Sequence, residues 1–313
     1  MTANNSTKQQ SGSSCDGFIV VAALWLLAAL AALAGVASAY VAQSATALAA
    51  FDAAIQSQMA ASAGIELTAY RLSGPATANR PTHGGFNFRL GNCNTTVEFM
   101  SEAARINLNM APRAMIAGLF RALGAQTGAA DQFADRVVAW RSAPKPNAPD
   151  PEERLYRAAG LNYGPRRAPF DSVDELWLVL GLPPAIVERA LAFVTVFSGL
   201  AEVNVLDAAP EVVAALPGMT PGRLDAFLSQ RELLPPDPAV ILGALGGRQP
   251  GATVSGSEAY RVRMRIGFAD GRQRTPEAVI MILEAGEREA YRVLAWRDEL
   301  EPGMAAQRPE QSR

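Results

Sequence analysis

Histidine and cysteine are almost missing from this chain. Its 313 residues include one histidine, His83, and two cysteines, Cys15 and Cys93. One histidine excludes a multi-histidine zinc site, and any Ser-His-Asp triad would have to use His83. That residue sits in the Gly/Pro-rich run Arg80-Pro81-Thr82-His83-Gly84-Gly85, which reads as a solvated loop. If Cys15 leaves with an N-terminal leader, no internal disulfide can form, and Cys93 reads as a buried, inert thiol. The chain also lacks an excess of either charge: 28 Lys+Arg against 30 Asp+Glu give a formal net charge of −2. A general nucleic-acid binder needs a basic surface to release counterions, so that class is disfavoured.

The sharpest absence is local. No charged residue occurs between Asp16 and Asp52. A bilayer core of about 30 Å needs about 20 apolar helical residues, and Phe18 to Val41 supplies them. Three readings compete. Ala37-Ser38-Ala39 is a small-x-small signal-peptidase site, but the apolar run exceeds an ordinary signal-peptide core of about 7–15 residues. The run also serves as a plain signal anchor. Thirdly, the junction Cys15-Asp16-Gly17-Phe18-Ile19-Val20 is laid out like a type IV prepilin, with cleavage after Gly17. The sequence beyond Val41 favours the third reading. Leu48, Phe51, Ile55, Met59, Ile65 and Leu67 continue at helical steps without proline to about Tyr70, although Gly64 weakens the pattern. One helix from Phe18 to about 72 is expected, its first half in lipid and its second half against a globular head.

Downstream, Phe86–Leu90 and Thr95–Phe99 alternate around Gly91-Asn92, a hairpin signature. Strand signals return at Tyr260–Ile266, Ala278–Leu283 and Tyr291–Trp296. The arginines of the first of these read as the solvated face of an antiparallel sheet. Between them, Ser101–Pro250 is helical in pattern, with faces such as Met115/Ile116/Leu119/Phe120/Leu123 and Val173/Leu176/Trp177/Leu180, and a cap at Asp171-Ser172. The expected fold is therefore α+β: a long N-terminal transmembrane, pilin-like helix, a small antiparallel sheet, and a large all-α domain inserted between strands. The expected boundaries are 1–17 for the leader, 18–41 for the transmembrane part, 73–100 and 251–298 for the α+β core, 101–250 for the inserted domain and 299–313 for a flexible tail.

Inside the inserted block, Ile106-Asn107-Leu108-Asn109-Met110-Ala111-Pro112 and Val203-Asn204-Val205-Leu206-Asp207-Ala208-Ala209-Pro210 form a weak repeat. Each places an Asn between apolar residues and then Ala-Pro at a helix start. The two copies read as helix-hairpin-helix-like, or SAM-like, units. Leu216-Pro217-Gly218 continues the second copy as a hairpin turn whose amides can hold a DNA phosphate. The alternative function is thus a membrane-anchored DNA-capture protein. Against it, Ser101–Pro250 holds 14 Lys/Arg and 16 Asp/Glu, with only Arg223 and Arg231 near that turn.

Together, the Gly17-Phe18 junction, Ala104–Asn109, Ala168–Leu176 followed by Gly181-Leu182, Val203-Asn204-Val205, Leu216-Pro217-Gly218 and Tyr291–Arg297 resemble the K-type minor pseudopilin of the type II secretion system. The resemblance implies a non-enzymatic subunit, cut by prepilin peptidase between Gly17 and Phe18 and methylated on Phe18. It implies a single pass of the bacterial inner membrane with the head in the periplasm. The partners it implies are the I-type and J-type minor pseudopilins, the major pseudopilin and the inner-membrane assembly platform, with nucleic acid unlikely as a ligand. Pilin-like subunits generally carry Glu at the fifth mature position; here that residue is Ala22. Family leaders usually carry basic residues before the Gly, where this one has Cys15-Asp16. No cofactor is expected, except that some members bind calcium through an acid-rich loop. The matching stretch, Trp140–Tyr156, offers Asp150, Glu152 and Glu153 and adds Arg141 and Lys145.

Overall fold

A computed structural model describes residues 16–73, 80–144, 150–235, 237–247, 249–283 and 287–299. Residues 1–15, with Cys15, lie outside that set, as do Lys145 to Pro149 and the residues from Leu300 on. The chain divides into two compact units, one running to Gln58 and the other starting at Met59.

Helix α1 spans Asp16–Leu72, beginning two residues before the expected Phe18. In the first unit, every described side chain from Val20 to Leu48 is exposed, and α1 is long and apolar enough to cross a membrane. In the second unit, the helix buries Ala60, Ala61, Ile65, Ala69 and Leu72 on a sheet. The sequence gives the physical reason: small residues alternate with large ones at steps of three and four. Gly64, which interrupts the sequence pattern, packs directly against the sheet. A Cβ there would meet Met264 Sδ at 2.8 Å.

The sheet has five antiparallel strands in the order β1-β2-β7-β8-β9: His83–Leu90, Cys93–Ser101, Ala259–Gly267, Gln273–Ile282 and Tyr291–Glu299. Gly91 takes φ +56 in the β1–β2 turn, as the hairpin signature requires. Along β7, Tyr260, Val262, Met264 and Ile266 are buried toward α1, while Arg261, Arg263 and Arg265 take the opposite face. In β8, Ala278, Val279 and Ile280 are all buried. The strand is interior to the sheet, between β7 and β9, which suits its continuous apolar run.

The insertion between β2 and β7 runs from Glu102 to the start of β7 at Ala259. It contains helices α2 (Arg113–Ala122), α3 (Thr127–Arg141), α4 (Pro151–Ala158), α5 (Pro184–Ala190), α6 (Pro210–Ala214), α7 (Pro221–Gln230) and α8 (Pro238–Ala244). Residues 173–178, expected within a helical face, form a 3-10 helix instead. Its cap is the one the sequence signals, a capping box between Ser172 and Glu175. Pro183 and Pro184 then stop it from joining α5.

The insertion is not wholly helical. Two-residue strands β3 (Ile106–Asn107) and β4 (Val194–Thr195) pair in parallel, as do β5 (Val203–Asn204) and β6 (Ala252–Thr253). These confirm the repeat as a structural one. Ile106 N and Leu108 N donate to Phe193 O and Thr195 O; Val203 N and Val205 N donate to Gly251 O and Thr253 O. Asn107 and Asn204 each accept from the amide two residues on, at 2.8 and 3.0 Å. Each thus holds a turn rather than a ligand. Even the closing arginines match. Arg141, at the end of α3, donates to the carbonyls of Leu108 and Ala111. Arg231, just after α7, donates to those of Val205 and Ala208.

Candidate functional site

Three places matter for function: the N-terminal helix, the seam between the insertion and the sheet, and the α3–α4 loop.

Gly17, Phe18 and Ala22 all lie in the first turns of α1. The described part of this segment carries no carboxylate between Asp16 and Asp52. An unpaired carboxylate at mid-membrane costs roughly 2.5–3.5 kcal/mol, so Ala22 makes this helix inexpensive to embed alone.

At the seam, β2 ends at Ser101 and the chain returns to the sheet through Ser257. Their hydroxyls lie 3.0 Å apart and Ser257 N donates to Ser101 Oγ at 2.8 Å. The next residue, Glu102, is fully buried. Its carboxylate accepts from Arg261 Nε at 2.8 Å and Nη2 at 3.2 Å, and from the Thr195 hydroxyl on β4. Arg261 also reaches Glu277, which Arg263 Nη2 contacts at 3.0 Å. Burial works against the Glu277 carboxylate, yet Arg261 and Arg263 hold its pKa below the usual glutamate value. Arg105, whose guanidinium donates to Ala192 O, is pushed down to about 10 by burial and by the neighbouring Arg261. Two further ties cross the seam: His83 Nδ1 to Asp207 at 2.7 Å, and Arg297 to Asp174 at 2.8 Å. His83 is solvent-exposed, as expected, but it begins strand β1 rather than lying in a loop, and Asp207 ties it down. Cys93 is buried, as expected, and burial raises its thiol pKa.

Apart from His83, the seam residues were not singled out from the sequence. Glu102 is one acid between Ser101 and Ala103, and its partners are distant in sequence, with Arg261 on β7. The alternation of β7 was the one available signal, because it placed three arginines on one face.

The α3–α4 loop holds the three calcium candidates. Asp150 caps α4, with its Oδ1 accepting from Glu152 N at 3.0 Å and Glu153 N at 3.1 Å. Its other oxygen binds Arg167. Burial opposes ionisation of Asp150, but the Glu153 amide, Arg167 and the Glu152 amide lower its pKa overall. Glu152 pairs with Arg136 at 2.8 Å and Glu153 with Arg157 at 2.7 Å. Calcium needs about 6–8 oxygen ligands. Among the described residues no three His, Cys, Asp or Glu side chains cluster as a metal site would need. One oxygen, Glu152 Oε1, is buried without a partner, which is far short of a cage. Among the described residues, then, each of these three carboxylates has an arginine partner and no calcium cage is formed.

The DNA reading also finds no support. Arg231 is committed to backbone carbonyls, and Arg223 packs beside Gly246. The hairpin turn at Gly218, with φ +77, is left without clustered cations.

Comparison with known proteins agrees with this fold. The family model described as type II secretion system (T2SS), protein K matches residues 92–199. No curated protein matches the sequence. A chain in the crystal structure of the GspK-GspI-GspJ complex from the enterotoxigenic Escherichia coli type 2 secretion system shares the fold with a TM-score of 0.56. The two are 15% identical, and the alignment covers 78% of this chain and 96% of that one. Residues 92–199 thus match the type II secretion system protein K family, and the chain as a whole shares its fold with a chain of that secretion complex.

Proposed function

We propose that the protein caps the periplasmic pseudopilus and helps to initiate it, anchored in the bacterial inner membrane by α1. In this role it is a structural subunit rather than an enzyme. Its partners are the I-type and J-type minor pseudopilins, with the major pseudopilin below them and the assembly platform in the membrane. The observation that carries this reading is the bulk of the insertion. A domain of about 150 residues has a radius of gyration near 15 Å. Set between β2 and β7, it adds that volume to a head that would otherwise be an ordinary helix-on-sheet unit. Repeated along a tight helical lattice, such heads would collide; at the end of a fibre nothing stacks above them. Ala22 points the same way, since a subunit with no neighbour on one side needs no carboxylate for that neighbour's amine. The prepilin leader, the cut after Gly17 and methylation of Phe18 belong to the same proposal.

The test is co-purification. The full chain, solubilised in detergent, is co-expressed with the I, J and major pseudopilins from the same organism. Recovery of I and J together, with the major subunit joining only when they are present, is the expected result. Stoichiometric recovery of the major subunit alone would contradict a tip role.

A further inference from the structure

We propose that Arg167 serves as a built-in cation for the α3–α4 loop, so that the inserted domain keeps its fold without calcium. The resemblance assigns such a loop, in some members, to a bound calcium ion. Here one oxygen of each of the three acids faces a guanidinium. Arg167 Nη2 binds the outer oxygen of Asp150, and Nη1 donates to Ala139 O at 3.1 Å. Its own amide donates to Trp140 O at 2.8 Å. One residue therefore ties the last turn of α3, through Ala139 and Trp140, to the cap of α4, through Asp150.

The backbone of Arg167 shows how tightly that position is fixed. It has φ +62, and it is the non-glycine residue at positive φ among the described residues. Side chains with a Cβ seldom adopt this conformation unless the surroundings impose it. The Asp150 and Arg167 side chains are both largely buried, at 18% and 21% exposure. A planar fork suits this place better than a point charge, since it reaches a carboxylate and a carbonyl at once. The other two acids are matched in the same way, Glu152 by Arg136 and Glu153 by Arg157. Three arginines thus hold the three carboxylates that the resemblance would give to a metal.

The experiment uses the full chain in detergent, with unfolding followed by tryptophan fluorescence. The unmodified chain is to melt at the same temperature in EDTA and in about 1 mM calcium, a concentration that extracellular calcium modules typically sense. Calorimetric titration with calcium chloride is to show no saturable heat. Arg167→Met is to melt about 5 °C lower in both conditions. Arg167→Lys, which keeps the charge but loses the fork, is to recover part of that loss. A melting temperature of the unmodified chain that rises in calcium would overturn the proposal without reference to any variant. So would saturable calcium heat that disappears in Asp150→Asn, or an Arg167→Met chain that melts like the unmodified one.

Discussion

Glu102→Ala is expected to destabilise the head by about 3–5 kcal/mol, the usual cost of removing one partner from a buried ion pair. The carboxylate is fully buried and serves Arg261, on the sheet, and Thr195, in the insertion. Without it, Arg261 keeps only Glu277, and the Thr195 hydroxyl loses its acceptor. The ion pairs left between the insertion and the sheet would be His83–Asp207, whose histidine is exposed and whose carboxylate is buried, and the exposed Arg297–Asp174 pair, of a kind that contributes about 0–1 kcal/mol. Urea denaturation of the full chain in detergent gives the number; a loss under about 1 kcal/mol would mean that the seam does not depend on Glu102. The same network sets a pH dependence. The Glu277 pKa is lowered on folding because, despite burial, Arg261 and Arg263 favour its charged form. Its contribution is therefore complete above the ordinary glutamate value of about 4.3 and is lost as pH falls through the lower folded value. Glu277→Gln should remove that part of the acid sensitivity while leaving neutral-pH titration by other groups unchanged.

Gly118→Ala is expected to be nearly as damaging, at about 3 kcal/mol, through overpacking rather than charge. Gly118 lies in α2, where the first helix of one repeat meets the end of α6, the first helix of the other. An added Cβ would sit 2.2 Å from Ala215 O and 2.8 Å from Ala215 Cα. These are backbone atoms, which cannot rotate aside as a flexible side chain would. The two repeats would have to separate, exposing the core built from Met115, Leu119, Phe120, Val212 and Val213. At about 2–4 °C per kcal/mol for a domain of this size, the melting temperature should fall by roughly 6–12 °C. Gly128→Ala is the control: it is also helical, but nothing lies within 4 Å of its added Cβ. That change should be neutral or slightly stabilising. Equal losses at both glycines would rule out the close approach as the cause.

The parts of this fold legible in the sequence are those written in local periodicity. The apolar run and the helical stripe beyond it marked α1, and alternation marked β7. Gly91-Asn92 marked the hairpin, and Ser172 with Glu175 marked a cap. The repeated Asn and Ala-Pro spacing marked the two copies in the insertion. What stayed hidden depends on partners far along the chain. A two-residue strand such as β3 has no period to read, and it exists only because β4 lies beside it. Glu102 looks like any acid until Arg261 is placed against it. Asp150, Glu152 and Glu153 look like candidate metal ligands until Arg167, Arg136 and Arg157 are found on them. Gly64 looked like a flaw in a helix and instead leaves room for the side chains of Met264 and Val97 on the sheet.

The central claim is that α1 is the N-terminal helix of a processed pseudopilin, embedded by its apolar half. The mature N-terminus, read by mass spectrometry on the protein isolated from its native membrane, tests this most directly. A chain beginning at an N-methylated Phe18 is the predicted result. A chain beginning at Tyr40, cut after Ala39 as a secretory signal would be, or one still beginning at Met1, would contradict it.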